Sequence, residues 1–553
     1  MGFVLHVVEP HLNGPLGDMP MLIRLAGQNR PVMVCGQGTA PARATIAHYR
    51  AEGLDMIPGS GLLATVLPGA FDAWMLTLRD HGRLPLRDIL EPAVHYARHG
   101  HPMLGRVSDT IDGLAAFFAK EWPTSAQVWT PGGKVPQPNS LFCNPDLANM
   151  WDRLLTEAET AKGRTAQIEA ARDVFYRGFI AEAIDDYLDS ACVMDAAGGR
   201  RKGVLSGQDM ADWQAHYEPP LSTDYHGWTV WKGDTWTQGP TMLQALNILQ
   251  GTDIEGLDPN GTDFVHLVTE TIKLAFADRE AYYGDPLHSS IPIETLLSAD
   301  YADQRRNLLD QSASADQRPG VIPGYEDRAR SAVERAARQA VAGPGAGAGE
   351  PTMAHLTDRR GDTVHIDVID RWGNMVSATP SGGWLQSSPV IPGLGVPLNS
   401  RAQMLWLDDG LPTSLAPGRR PRTTLSPSMA SFDGVPCMAF GTPGGDQQDQ
   451  WQLIMFLRLV HHGLNLQAAI DAPLFHTGHF QASFYPRGTR PRHLMLEPAF
   501  GQDVIARLQS RGHDVEVSDP WAVGRLTAAR RDGNGLLRAA ATPRLMQAYA
   551  IGR

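Results

Sequence analysis

Ala342 to Pro351 reads AGPGAGAGEP, and shortly after it comes GDTVHIDVIDRWGNMVSAT, Gly361 to Thr379. A Gly/Ala/Pro run offers almost no side chain to bury and breaks both helix and strand. The fold must therefore be assembled from what lies on either side of it. The following segment has a period of two. Val364, Ile366 and Val368 alternate with His365, Asp367 and Ile369, Arg371 to Asn374 make a turn, and Met375 to Thr379 return as a second strand. The stretch near 311–362 reads as an exposed linker inside one fold, where cleavage concentrates. A threonine, Thr363, stands where linker gives way to hairpin. In an intact chain it is one strand threonine among many. A cut between Asp362 and Thr363 gives it a free α-amine, which titrates near pH ~8 and can take the proton of its own hydroxyl.

The rest of the sequence narrows the chemistry. A net charge of −12 argues against a nucleic-acid binder, whose footprint is basic. No run of eighteen apolar residues exists, so no membrane-spanning helix is expected. The start, MGFVLHVVEP, lacks the basic region of a secretory signal, and Cys35, Cys143, Cys192 and Cys437 lack C-x-x-C spacing. A reducing, cytoplasmic setting is expected, with no disulfide framework, no metal and no cofactor. No G-x-S-x-G elbow, S-x-x-K set or H-E-x-x-H pair is present. His461-His462 reads as the end of a helix rather than a metal site.

Two further elements frame the hairpin. Thr262 to Tyr283 has a buried stripe (Phe264, Leu267, Val268, Thr271, Leu274, Ala275) and reads as a core helix, capped by Thr262 or Asp263 and ended by Gly284. Val435 to Gly441 reads as a strand leading through TPGGD into a helix over Gln450 to His462. The pair Gly444-Gly445 lies between strand and helix, where backbone N–H groups can face a developing oxyanion or simply form a tight turn.

Blocks along nearly the whole chain resemble the gamma-glutamyltransferase family of N-terminal-nucleophile hydrolases. They include VVEPHLNGPLGD (Val7 to Asp18), LLATVLPGAFDAW (Leu62 to Trp74), KLAFADREAYYGDP (Lys273 to Pro286), the hairpin itself, LAPGRRPRTTLSPSM (Leu415 to Met429) and FGTPGGDQQ (Phe440 to Gln448). The resemblance implies a four-layer αββα sandwich in the α/β class. It also implies self-cleavage into residues 1–362 and 363–553, which together form a heterodimer of the chain's own two fragments. Thr363 would be processing residue and acyl acceptor, and Ser381 would support its hydroxyl. Gly444 and Gly445 would line the oxyanion hole, and Thr423 and Thr424 would contact substrate.

The departures bear on substrate. Where the resemblance leads one to expect an arginine for the glutamyl α-carboxylate, CGQGTAP has Gln37. Where it leads one to expect an acidic pair for the α-amine, LNSRAQML has Gln403 and Met404, and an expected asparagine is Gly383. Each charged hydrogen bond lost weakens glutamyl binding by roughly 1.5–3 kcal/mol. SGGWLQSSP, Ser381 to Pro389, is similar to the branch that includes some cephalosporin acylases, which remove glutaryl-type chains. Arg401 is a candidate to meet a remaining carboxylate, or else a surface salt-bridge residue. The leading expectation is a self-processing amide hydrolase or acyltransferase on a small amide, γ-glutamyl or glutaryl-type. The alternatives are a conventional glutathione hydrolase, a catalytically silent binding protein on the same scaffold, and an unrelated serine hydrolase.

Overall fold

The computed structural model describes residues 1–338, 353, 356, 362–546 and 548–552. Most of the Gly/Ala/Pro run and the residues up to Gly361 therefore lie outside the described residues. Two antiparallel sheets form the centre. The first orders its strands Ile366–Ile369, Met375–Ala378, Met19–Arg24, Val32–Gly36 and His216–Glu218. The second orders Leu537–Ala541, Thr527–Arg531, Val435–Gly441, Ser428–Phe432, Trp228–Lys232 and Leu221–Tyr225.

The pleat decides what lies between them. Leu22, Met33, Cys35 and Met375 from the first sheet meet Trp231, Met429 and Ala439 from the second in one buried cluster, joined by Trp236. The other face of the first sheet, through Met19, Met21, Ile23, Val34 and Ile366, packs on Ala70, Ala73 and Leu76 of the helix Ala70–His81. The outer face of the second sheet is covered by the helices Pro240–Leu249, Thr262–Tyr282 and Gln448–His461. The layers thus run helix, sheet, sheet, helix, the αββα sandwich expected. A further helical lobe over residues 86–190 builds its own core from Phe71, Trp122, Trp151 and Phe175 against the first helical layer.

The hairpin forms for local reasons. Asp370 Oδ1 accepts from the backbone N–H of Trp372 at 3.0 Å and of Asn374 at 2.8 Å, and Gly373 takes a positive φ of 90° that closes the turn. Ile366 pairs with Ala378 and Ile369 with Met375, so the register keeps Ile366 toward the helices and His365 and Asp367 toward the second sheet.

Three expectations need correction. The long helix runs Thr262–Tyr282 with Gly261 at its N-cap and no side-chain cap, and Asp263 instead pairs with Arg511. Its last turn gives way at Tyr283, whose backbone is already extended, before Gly284 is reached. Residues 311–338 are not a linker. Ala313 donates its N–H to Arg511 O at 2.7 Å, and Gly320 donates to the buried Asp278 at 2.7 Å. Glu326–Arg338 is a helix that buries Ala329, Ala332 and Arg335. The composition of that helix is charged, but its alanines fall on one side and find Tyr282, Tyr283 and Ile322.

The intersheet cluster sets the geometry of everything between the sheets. Leu22→Ala is expected to destabilise the protein by about 2–5 kcal/mol, the usual range for an uncollapsed core cavity. Chemical denaturation followed by tryptophan fluorescence measures it.

Candidate active site

Thr363 lies fully buried three residues before the first strand of the hairpin, Ile366–Ile369. It forms a bridge with Ser381, and Val364 donates its N–H to Pro380 O at 3.1 Å. Its Oγ1 donates to Ser381 Oγ at 3.1 Å, and Ser381 Oγ donates onward to the carbonyl oxygen of Asp362 at 3.0 Å. That same carbonyl receives the indole N–H of Trp384 at 2.6 Å, which it shares with Leu12 O at 2.7 Å. The carbonyl of the peptide bond before Thr363 is therefore held by two donors, while the Thr363 hydroxyl lies in the same hydrogen-bonded chain. This arrangement can stabilise negative charge on that oxygen as the hydroxyl adds to its carbon.

The donors are themselves fixed. Asp18 and Ser381 exchange backbone hydrogen bonds at 2.8 and 2.9 Å. The Asp18 carboxylate accepts from Arg401 Nε at 2.9 and 3.1 Å, and the Arg401 guanidinium lies 4.9 Å from the centre of the Trp384 ring. All of these groups are buried. Burial raises the Asp18 carboxyl above its ordinary range, and the adjacent Arg401 opposes the rise. Arg401 is thus a buried ion-pair partner of Asp18 rather than a surface salt-bridge residue, and its plane backs the indole.

Next along the strand, His365 Nδ1 meets Thr379 Oγ1 at 2.9 Å and Nε2 meets Asp367 Oδ1 at 2.9 Å; Asp367 in turn accepts from Thr527 Oγ1 of the second sheet at 2.8 Å. Gly441 lies against that imidazole: a Cβ there would come within 2.2 Å of the ring. The strand Val435–Gly441 is thereby brought beside the nucleophile's strand, and the Gly444-Gly445 loop leaves from its end. Gly444 has a φ of 136°, and a Cβ on it would sit 2.3 Å from Trp451. Gly445 opens the short turn Gly445–Gln447, which leads into the helix Gln448–His461. That helix starts two residues earlier than the apolar pattern suggests, and His461 Nε2 meets Tyr225 OH at 2.7 Å at its end.

The remaining sequence candidates divide. Thr423 is tied down by its N–H to Trp236 O at 2.8 Å, but the buried Thr424 Oγ1 has no hydrogen-bond partner among the described residues. Gln37 is buried, with Nε2 on Gly38 O at 3.1 Å and Oε1 unmatched. Gln403 is structural instead: it donates to Gly59 O and Ser400 Oγ and accepts from Tyr485 N–H at 3.1 Å. Gly383 takes a positive φ of 65°, and a Cβ on it would come within 3.1 Å of Gly17 N. Trp384 and Asp18 were missed by motif reading, although both lie inside blocks quoted for the family; nothing in their spacing marks an indole or a backbone partner as a donor.

One further group stands at the same bond. The carboxylate of Asp362 forms an ion pair with Arg525, which follows the second sheet's neighbouring loop and precedes the strand Thr527–Arg531. Burial and the field of Arg106 pull the Arg525 guanidinium down to about 9, opposed by Glu9. Burial pushes the Glu9 carboxyl up to about 7 and the His11 imidazole down to about 3.

A profile of the family described as Gamma-glutamyltranspeptidase matches residues 1–552. The chain belongs to the gamma-glutamyltranspeptidase family. Among its relatives is the Acylase ACY 1 proenzyme of Pseudomonas sp. (strain SE83), 30% identical over 98% of this chain and 86% of the relative. The solved structure of LmbA2991HD is 51% identical, with a TM-score of 0.92 over all of this chain and 93% of the other. The cephalosporin acylase from Bacillus halodurans is 26% identical, with a TM-score of 0.79 over 98% of this chain and 88% of that one. As a member of this gamma-glutamyltranspeptidase family, the protein is an N-terminal-nucleophile enzyme of the hydrolase and acyltransferase kind.

Trp384→Phe keeps the ring and removes one of the two donors to the Asp362 carbonyl. Cleavage before Thr363 is expected to slow by about 10²–10³-fold, the usual cost of losing one oxyanion donor. A denaturing gel followed over time after expression reads it, with circular dichroism as the check on folding; cleavage at the unaltered rate in a folded variant removes the indole from this role.

Proposed function

We propose that the protein cuts itself before Thr363 and then hydrolyses or transfers the acyl group of a small amide. The observation that carries this reading is the hydrogen-bonded chain from the Thr363 hydroxyl through Ser381 to the Asp362 carbonyl, completed by Trp384. In the first stage Thr363 Oγ bonds to the Asp362 carbonyl carbon and the carbon–nitrogen bond breaks. The hydroxyl proton ends on the departing nitrogen, which becomes the α-amine of Thr363. Water then hydrolyses the ester, leaving a 362-residue fragment and a 191-residue fragment that begins with the nucleophile.

In the second stage the free amine takes the hydroxyl proton, Oγ attacks the amide carbon of the substrate, and the proton passes to the leaving amine. Water or a second amine then accepts the acyl group. The backbone N–H groups of Gly444 and Gly445, at the start of a helix beside the hairpin, are the candidates to stabilise the substrate's oxyanion, and Thr424 offers an unmatched hydroxyl to the substrate.

The acyl group we favour is of the glutaryl type. Gln37 carries no charge, Met404 is buried and apolar, and Arg401 is committed to Asp18, so these three positions leave a glutamyl zwitterion poorly compensated. Two measurements test the reading. Thr363→Ala is expected to leave one full-length chain on a denaturing gel; normal fragments would assign the cut to another protease. The cleaved protein is expected to show a higher kcat/KM for glutaryl anilide than for γ-glutamyl anilide under matched conditions, and the reverse order would favour a conventional glutathione hydrolase.

A further inference from the structure

We propose that Arg525 recognises a carboxylate on the acyl group of the substrate, and that the side chain of Asp362 occupies that carboxylate's place until the chain is cut. The inference rests on Thr363 being the acyl acceptor, and it refines the dicarboxylic acyl class favoured above: among short half-amides it puts succinyl, one methylene shorter than glutaryl, first.

Different groups hold the backbone and the side chain of Asp362. Its carbonyl is gripped by Ser381 and Trp384, but neither oxygen of its carboxylate has a hydrogen-bond partner among the described residues, and its ion pair is with Arg525. Asp362 is 2% exposed and the Arg525 side chain 19%. A carboxylate is costly to bury in such a place unless a cation meets it. The buried aspartate and the arginine are thus a matched pair set directly beside the reacting bond.

Chemistry then connects this pair to substrate. Self-cleavage passes through an ester in which the acyl group of Asp362 is carried on Thr363 Oγ. Turnover passes through an ester in which the acyl group of the substrate is carried on the same oxygen. The two esters share that oxygen, and each bonds an acyl carbonyl carbon to it. In the first, the free carboxylate lies two carbons beyond the carbonyl, which is the spacing of a succinyl group. An acyl chain with that spacing can meet Arg525 as Asp362 does.

Hydrolysis of the first ester removes the covalent hold on Asp362. Arg525 then stays in a pocket where Arg106 repels it and Glu9 opposes that repulsion. The Glu9 carboxyl, pushed up to about 7, is only partly ionised near neutral pH, and His11, at about 3, is neutral, so Glu9 replaces the lost anion in part. A half-buried guanidinium in that state favours an incoming anion. In the sequence Gln37 stands where an arginine is expected and Arg401 is the candidate cation; Arg525 comes from the far end of the chain, where GRLTAARR carries no family motif that marks it.

The test uses the purified, cleaved protein with succinyl anilide and butanoyl anilide, which differ by the terminal carboxylate. The unaltered enzyme is expected to favour the succinyl compound by about 10-fold or more in kcat/KM, with the difference lying in KM, as for a charge-assisted hydrogen bond. Arg525→Gln is expected to bring the ratio to within about 2-fold of one, and Arg525→Lys to recover part of the preference. Because an uncharged residue at 525 can also block cleavage, a second measurement uses the unaltered protein alone. Succinamate is expected to compete with butanoyl anilide, while butanamide at the same concentration does not. Equal rates on the two anilides, no difference between the two amides, or a preference that survives Arg525→Gln would overturn the inference. A chain that is never cut would overturn the self-processing reading instead, whereas a cut chain that hydrolyses both anilides alike would overturn this inference alone.

Discussion

The buried ion pair between Asp18 and Arg401 is the interaction on which the rest of the centre depends. Asp18 immediately precedes Met19–Arg24, the central strand of the first sheet; its backbone holds Ser381 and its carboxylate holds Arg401. Arg401 backs Trp384, whose indole N–H reaches the Asp362 carbonyl. One pair of charges thus positions both donors at the bond before Thr363. Such a pair adds little net stability compared with a well-packed apolar pair, but removing one partner costs about 3–5 kcal/mol because the other charge is left buried. Its use here is geometric. It locks two polar side chains from distant parts of the sequence in the places where a carbonyl oxygen needs them.

The sandwich explains why these parts meet. The strand Met375–Ala378 lies next to Met19–Arg24, so the hairpin that starts at Thr363 is fastened to the segment carrying Asp18. On the other side, His365 and Asp367 face the second sheet, where Gly441 has no side chain to collide with the imidazole. That approach brings in both the Gly444-Gly445 loop and the strand beginning at Thr527, with Arg525 just before it. The nucleophile, the glycine loop and the half-buried Arg525 therefore come from three stretches far apart in sequence. They meet because the two sheets pack face to face over Leu22, Met33, Met375, Trp231 and Met429.

Part of this was legible in the residues. The two-residue period of the hairpin, the strand Val435–Gly441 and the long buried helix are local patterns, and local patterns are what hydrophobic periodicity reports. Thr363 and Ser381 were legible through the resemblance, and they do meet at 3.1 Å. What escaped was long-range or carried by unexpected atoms. Arg401 looks like a surface cation in LNSRAQML, but its partner lies at the other end of the chain. Trp384 looks like a core tryptophan, and only its indole N–H reveals its use. The charged piece before the Gly/Ala/Pro run reads as helix-like, but the packing of the helix Glu326–Arg338 does not show locally, because its buried face is made of small alanines against tyrosines. Gln403 and Gly383 stand at positions matched to the family, yet their bonds and contacts serve the scaffold rather than an open site.

The most direct test of the central claim is to identify the nucleophile by mass. The purified protein is mixed briefly with a turnover anilide, quenched with acid and analysed as intact fragments and peptides. The account predicts a small fragment of 191 residues beginning at Thr363, with the transient acyl group carried on that first residue. A new amino terminus at any other position, or the acyl group found on a serine within an uncut chain, would contradict it.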